Sequence, residues 1–234
     1  LVFLLQDYID GFSLKGLLNK QTGGILPLPE MMTVMKALCS ALGFAHASGV
    51  IHCDIKPPNV MVDRAGKVYL TDFGIARHAE STSTTLAQAG APAYMAPEQI
   101  LGQPVSAATD IYSLGVLLFE CLTGRRPFQG NEPAAAGAGE TTSDRLRFAH
   151  LRLSPPNPAA VNPGISAQMA GVILKALSKQ PAQRFPSALA FLAAAADAAG
   201  VDLERMPSYL NSSTMPTLSR NKPHPAVKVR PSGA

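Results

Sequence analysis

The sequence predicts a mainly α-helical body with a few short strands. Three observations carry that expectation. Apolar residues recur at three-to-four-residue spacing between Pro29 and Gly49, and Ile111 to Leu122 is apolar almost all round. Two strand-like runs, Val60 to Val62 and Val68 to Leu70, flank a polar turn containing Gly66. A chain of 234 residues with 47% hydrophobic and 15% charged residues buries one sizeable core, so a charge-rich disordered chain is excluded.

In chain order, Leu1 to Leu5 reads as a buried strand, Asp10 and Gly11 as a turn, and Ser13 as the cap of a short helix carrying Leu14, Leu17 and Leu18. Pro29 and Glu30 open a helix whose Val34, Leu38, Leu42 and Ala45 share a face, and Gly49 closes it. After the hairpin, Ile111 to Leu122 starts behind Thr109 and Asp110 and stops at Gly124, which predicts a helix buried on every side, the axle of the core. Asn131 to Ser143 is rich in Ala and Gly and poor in bulk, so it reads as a surface loop of little order. Two helices follow, one with Met169, Val172, Ile173, Ala176 and Leu177, the other capped by Ser187 and ending at Gly200. Pro207, Pro216, Pro223, Pro225 and Pro231 then interrupt any pattern. The expected organisation is a domain over residues 1–200 and a basic, Pro-rich disordered tail over 201–234.

Of the net charge of +4, five positive charges with no acid lie beyond Glu204, which leaves the rest of the chain at −1 and gives a nucleic-acid-binding face no support. Cys39, Cys53 and Cys121 are odd in number, far apart and without a CxxC. That disfavours a disulfide framework or zinc site and suits a reducing, cytoplasmic setting. The apolar stretches around Ile111 to Leu122 and Ala188 to Ala196 are too short to span a bilayer, and Leu1 to Leu5 is too short for a signal-peptide core, so no membrane segment is expected. The first residue is Leu, which suggests a sequence beginning downstream of its true start.

Polar chemistry crowds two places. Between the long helix and the hairpin stands His52-Cys53-Asp54-Ile55-Lys56-Pro57-Pro58-Asn59, and just after the hairpin stands Asp72-Phe73-Gly74. A phosphoryl transfer needs a carboxylate to orient a hydroxyl nucleophile, a cation beside the moving group, and hard oxygen ligands for Mg²⁺. Asp54 and Lys56 supply the first two. Asn59 and Asp72 supply the oxygens, and Gly74 lets the backbone turn after the metal ligand.

These stretches resemble the catalytic loop and DFG segment of protein kinases. Ala96-Pro97-Glu98 matches that family's APE motif, Asp110 to Gly115 resembles its buried-helix signature, and Arg184 matches the arginine paired with the APE glutamate. The similarity covers residues 1 to about 200, the hinge onward, and looks closest to bacterial serine/threonine kinases. It implies a kinase-like C-terminal lobe. It also implies a hinge at Gln6 to Gly11, where the Asp7 carbonyl and Ile9 amide would hold adenine over Met61, with Asp72 completing the nucleotide site. Asp54, Lys56 and Asn59 become the catalytic residues, Asn59 and Asp72 the metal ligands, and ATP with Mg²⁺ or Mn²⁺ the cofactors. Protein substrates with Ser or Thr acceptors are the implied partners, since Lys56 two past the aspartate favours these over Tyr.

The resemblance also gives supporting roles. His52 packs on Phe73, Glu98 pairs with Arg184, and Asp110 both caps its helix and holds the catalytic-loop backbone. Ser81, Thr82, Ser83, Thr84 and Thr85 lie where relatives are autophosphorylated, and they read equally as an ordinary polar loop. Two positions depart from the pattern: Cys53 stands where relatives commonly carry Arg, and Ala91 where they carry Thr. A Cys53–His52 nucleophile is disfavoured because such pairs meet across a fold rather than as sequence neighbours.

A kinase also needs a glycine-rich loop and a strand lysine before the hinge, and five residues precede Gln6. Gly137-Ala138-Gly139 is in the wrong place and lacks the third glycine. The expectation is therefore a truncated serine/threonine protein kinase whose ATP-clamping N-terminal lobe is largely absent, implying a missing lobe or partner strand. The alternative is a catalytically impaired kinase-like binding or regulatory module. A small-molecule phosphotransferase of the aminoglycoside type would share the HxDxxxxN loop but has no reason to carry Glu98 and Arg184.

Overall fold

The computed structural model describes residues 7–73, 77–78 and 92–210. The expected strand at Leu1 to Leu5, Gly74, the run Ser81 to Thr85, Ala91 and the tail beyond 210 lie outside them.

The element order is β1 (Gly11–Ser13), α1 (Leu14–Leu18), α2 (Leu28–Ala47), β2 (Val50–Ile51), β3 (Val60–Asp63), β4 (Val68–Leu70), β5 (Arg77–His78), α3 (Pro97–Ile100), α4 (Ala107–Thr123), α5 (Thr142–Arg152), α6 (Pro158–Val161), α7 (Ala167–Ala176) and α8 (Ala188–Ala199). Helices dominate, as the periodicity predicts.

The axle is α4. Every residue from Thr109 to Thr123 is buried, and it packs against α2, α7 and α8. It begins one turn before the apolar run because the Thr109 hydroxyl accepts the Ser106 N–H, satisfying a donor at the helix start. It ends on Gly124 in the left-handed conformation at φ 75°. Asp110 therefore sits inside the helix rather than capping it, which corrects half of its expected role. At Gly115 the helix comes so close to α7 that a Cβ would lie 2.9 Å from the Ala176 Cβ.

The β3–β4 hairpin forms as expected, with Val60 opposite Leu70 and Val62 opposite Val68. A third strand, β1, pairs antiparallel with β3 and places Gly11 opposite Asp63. Gly11 is thus a strand residue and not a turn. Its missing Cβ is required, since one would fall 1.9 Å from the Val62 carbonyl oxygen. Ser13 caps α1 by accepting the Gly16 N–H at 3.1 Å, as its position predicts.

Two further expectations fail. The segment 131–143 is no loose loop: Pro133–Ala135 forms a 3-10 turn with Ala135 fully buried, and Thr141 caps α5 in a reciprocal pair with Asp144. Residues 201–210 do not open the tail. Leu210 is buried, and its N–H donates to the Gly66 carbonyl at 2.9 Å, so the packed body runs ten residues past the expected boundary.

Candidate active site

The site is assembled where α4, the loop between β2 and β3, and the end of β4 meet. Asp110, wholly buried in the first turns of α4, accepts three hydrogen bonds on its carboxylate. The His52 backbone N–H and His46 Nε2 meet Oδ2 at 2.9 and 2.8 Å, and the Cys53 backbone N–H meets Oδ1 at 2.9 Å. A buried carboxylate without such partners would be severely penalised, so the loop backbone is fixed wherever Asp110 is fixed. The holding half of its expected role is what the structure shows. His46, for which sequence reasoning found no role, is the third partner of this carboxylate. The Gln99 side-chain amide grips the same loop from α3, donating to the Cys53 carbonyl at 2.8 Å.

The loop bends sharply between these grips. Cys53 has φ 67°, a left-handed conformation that costs a non-glycine residue about 1 kcal/mol. The bend turns Asp54 back toward His52, whose Nδ1 accepts the Asp54 N–H at 3.2 Å, leaving Nε2–H to donate to the Thr71 carbonyl at 3.0 Å. Both ring nitrogens are thereby occupied, so His52 has none to offer the Cys53 thiol and no Cys–His nucleophile forms. The ring meets Phe73 edge-on with centroids 4.5 Å apart, the packing expected of it. His52 ties the loop between β2 and β3 to the end of β4.

Three side chains then converge. Lys56 Nζ and Asn59 Nδ2 both reach Asp54 Oδ2, at 2.7 and 2.8 Å, and Asn59 Nδ2 also donates to the Asp54 backbone carbonyl at 2.9 Å. Both hydrogens of the Asn59 amide are spent on Asp54, so its Oδ1 is the atom available to accept or ligate. The 3-10 turn Pro57–Asn59 sets this geometry, with the Asn59 N–H closing on the Lys56 carbonyl. Prolines pre-form that turn by fixing φ.

Asp72 stands across from Asn59, because the Thr71 N–H and hydroxyl both donate to the Asn59 carbonyl, at 2.9 and 3.1 Å. It is exposed and left-handed at φ 63°. A cavity of about 770 Å³ opens in front of it, walled by Asp7, Tyr8, Ile9, Pro58, Met61, Tyr69, Leu70, Thr71, Asp72 and Phe73. All four residues expected to bind nucleotide therefore line one cleft. Among the described residues no cluster of three His, Cys, Asp or Glu side chains is placed to hold a metal. The oxygens of Asn59 and Asp72 suit a hard cation that keeps waters or phosphate oxygens as its remaining ligands, and the residues present fit Mg²⁺ in that sense.

Glu98 and Arg184 form a buried, two-pronged ion pair at 2.7 and 2.8 Å, with the Thr109 hydroxyl donating to Glu98 at 2.8 Å. Arg184 also donates to the carbonyls of Ala108, Ser178 and Lys179. The pair fixes α3 to the start of α4, and so Gln99 relative to Asp110. Among the described residues no helix is long and apolar enough to cross a membrane.

Comparison with known proteins agrees with this constellation. The protein kinase domain family matches residues 1–194. Serine/threonine-protein kinase PknB of Mycobacterium leprae is 38% identical over 191 residues, covering 80% of this chain and 29% of that protein. Serine/threonine-protein kinase PrkC of Bacillus subtilis is 34% identical over 188 residues, covering 80% of this chain and 27% of that protein. The crystal structure of the Mycobacterium tuberculosis PknI kinase domain is similar with a TM-score of 0.62 and 28% identity, covering 82% of this chain and 64% of that one. The chain spans less than a third of the curated relatives it matches.

Proposed function

The chain belongs to the protein kinase domain family, and from that membership we propose that it supplies the acceptor and metal side of a serine/threonine protein kinase site. In this reading residues 1–200 correspond to the hinge and C-terminal lobe of a kinase, and protein Ser or Thr hydroxyls are the acceptors. The observation that carries the reading is the convergence of Lys56 and Asn59 on the Asp54 carboxylate, beside a cleft that ends in Asp72.

The chemistry follows from these atoms. Asp54 accepts a hydrogen bond from the substrate hydroxyl and takes its proton as the alcohol oxygen bonds to the terminal phosphorus of ATP and the bond to the bridging oxygen of ADP breaks. Lys56, held on the same carboxylate, places a positive charge beside the phosphoryl group in flight. Asn59 Oδ1 and the Asp72 carboxylate would hold Mg²⁺, or Mn²⁺ in its place, which when bound neutralises phosphate charge. Met61, Ile9 and Leu70 give the adenine an apolar bed, and the backbone of Asp7 and Ile9 offers it a carbonyl and an amide. Asp110 keeps Asp54 aimed through the Cys53 amide, and that preorganisation costs no rearrangement at the moment of transfer.

Calorimetry with Mg·ATP and labelled-phosphate transfer to a basic acceptor protein test the reading together. Asp72→Asn should remove metal-dependent nucleotide binding, and Asp54→Asn should lower transfer by about 100-fold or more. Undiminished incorporation in either variant overturns the assignment. Nucleotide binding without transfer by the unsubstituted chain would favour the binding-module alternative.

A further inference from the structure

The segment that follows α8 crosses α2 and ends on the β3–β4 turn. Lys36, in the middle of α2, donates through Nζ to the Leu203 carbonyl at 2.7 Å and the Met206 carbonyl at 3.2 Å. Further along, the Leu210 N–H donates to the Gly66 carbonyl at 2.9 Å, Tyr209 bridges antiparallel to Lys67, and the Leu210 side chain is 5% exposed. Gly66 permits this approach: it lies at φ 85°, and a Cβ there would stand 2.4 Å from the Leu210 carbonyl oxygen. The segment is therefore fastened at two places.

The turn it grips is the closed end of a hairpin whose open ends carry the two oxygen donors. Asn59 immediately precedes β3, and Asp72 lies two residues beyond β4. β3 is paired on both sides, by β1 and β4, but the three-residue β4 is the edge of the sheet, so its placement, and that of Asp72 beyond it, rests on α2 and on what holds the turn. Beneath the segment lies an apolar cavity of about 340 Å³, walled by Pro29, Met32, Thr33, Val201, Met206 and Pro207. Val201, Leu203 and Met206 pack partly buried against the core around this cavity, and Lys36 and Leu210 add the polar and backbone fastenings at the two ends.

We propose that residues 203–210 are a strap that positions Asn59 and Asp72 by holding the β3–β4 turn against α2, with Lys36, Gly66 and Leu210 as positioning residues. The strap rests on the reading of Asn59 and Asp72 as metal ligands. Releasing it lets the hairpin open locally while the α4–α7–α8 core stays closed, and the separation of the two oxygen donors is no longer fixed.

Amide hydrogen exchange on the full chain tests this without nucleotide. In Lys36→Met and Leu210→Ala, the Asp63 and Thr71 amides, bonded to the Lys67 and Asn59 carbonyls, should exchange roughly tenfold faster or more, while amides of α4 and α7 keep their rates. Lys36→Arg, which restores donors to the two carbonyls, should return the hairpin amides to their original rates. The Mg²⁺ concentration at half-maximal ATP binding should rise about fivefold or more in Lys36→Met and recover in Lys36→Arg. Unchanged hairpin exchange, an equal rise throughout the core, or local opening with an unaltered Mg²⁺ requirement each overturns the proposal. Failure of the unsubstituted chain to bind Mg·ATP counts against the kinase reading instead, and the exchange comparison still decides whether the strap holds the turn.

Discussion

The Asp110 carboxylate holds Cys53 in a left-handed bend, accepting its N–H at 2.9 Å while Cys53 sits at φ 67°. An acceptor in the buried axle thus sustains backbone strain in the loop that presents Asp54. Asp110→Asn keeps the volume but turns an NH₂ toward one of three donors, His46 Nε2, His52 N–H or Cys53 N–H. Urea unfolding should show a loss of about 3 kcal/mol, with transfer falling in parallel. A loss below about 0.5 kcal/mol would show that Asp110 is not the clamp.

Lys56 and Asp54 form a half-buried ion pair, and because Asn59 donates to the same carboxylate, removing the ammonium leaves Asp54 hydrogen-bonded. The pair's expected effect is on chemistry. Lys56→Met should shift the melting temperature by no more than about 2 °C while lowering phosphate transfer by about 100-fold. A large fall in melting temperature with retained transfer would make Lys56 structural.

Much of this was legible before the structure because the informative residues are close in sequence or strongly patterned. Asp54, Lys56 and Asn59 span one turn of loop, and the continuous apolar run of α4 admits one environment. Less legible features depend on distance or on weak patterns. His46 lies 64 residues from Asp110, and Gln99 lies 46 from Cys53, with nothing in their spacing to join them. α5 buries only Leu146, Ala149 and His150 among many charges, so it carries no clear apolar stripe. The boundary at 200 was misplaced because Pro207 suggested a linker, whereas two backbone carbonyls of this segment accept from Lys36 and its Leu210 N–H donates to the Gly66 carbonyl. Backbone pairing leaves no side-chain signature.

Glu98 and Arg184 should behave as a unit. Both are nearly fully buried, so removing one strands a charge that the other can no longer neutralise. Arg184→Met alone should cost about 3–5 kcal/mol in denaturant unfolding, and Glu98→Gln with Arg184→Met together should cost less than the two single losses added. Simple additivity in that double-mutant cycle would show that the charges do not interact.

At Gly115, α4 lies close against the end of α7. A methyl group there would stand 2.9 Å from the Ala176 Cβ and 3.3 Å from the Leu177 Cδ2, both on buried residues. Alanine favours a helix over glycine by about 1 kcal/mol, but overpacking costs about 1–3 kcal/mol, so Gly115→Ala should be neutral to destabilising by about 2 kcal/mol. A raised melting temperature would show that the crossing relaxes freely.

His150 should make the fold acid-sensitive. Burial, aided by the nearby Lys179 charge, pushes its pKa down from 6.5 to about 3, so it is neutral in the folded chain. Its Nδ1 lies 2.9 Å from the Tyr112 hydroxyl, and Lys179 donates to its backbone carbonyl at 2.7 Å. Tyr112 keeps its proton because burial raises its pKa, so its O–H is the donor and His150 Nδ1 the acceptor. As pH falls through 6.5 the unfolded chain takes up a proton that the folded chain refuses until about 3, so stability declines across that window and is unaffected by this residue above it. The slope approaches about 1.4 kcal/mol per pH unit for one proton. Unfolding of the parent and His150→Gln by urea at pH 7, 6, 5 and 4.5 isolates the effect, since carboxylates common to both cancel in the difference. The parent should lose stability faster than the variant below pH 6.5 and at the same rate above it. A pH-independent difference would place the His150 proton affinity near its ordinary value and remove the imidazole as a source of acid sensitivity.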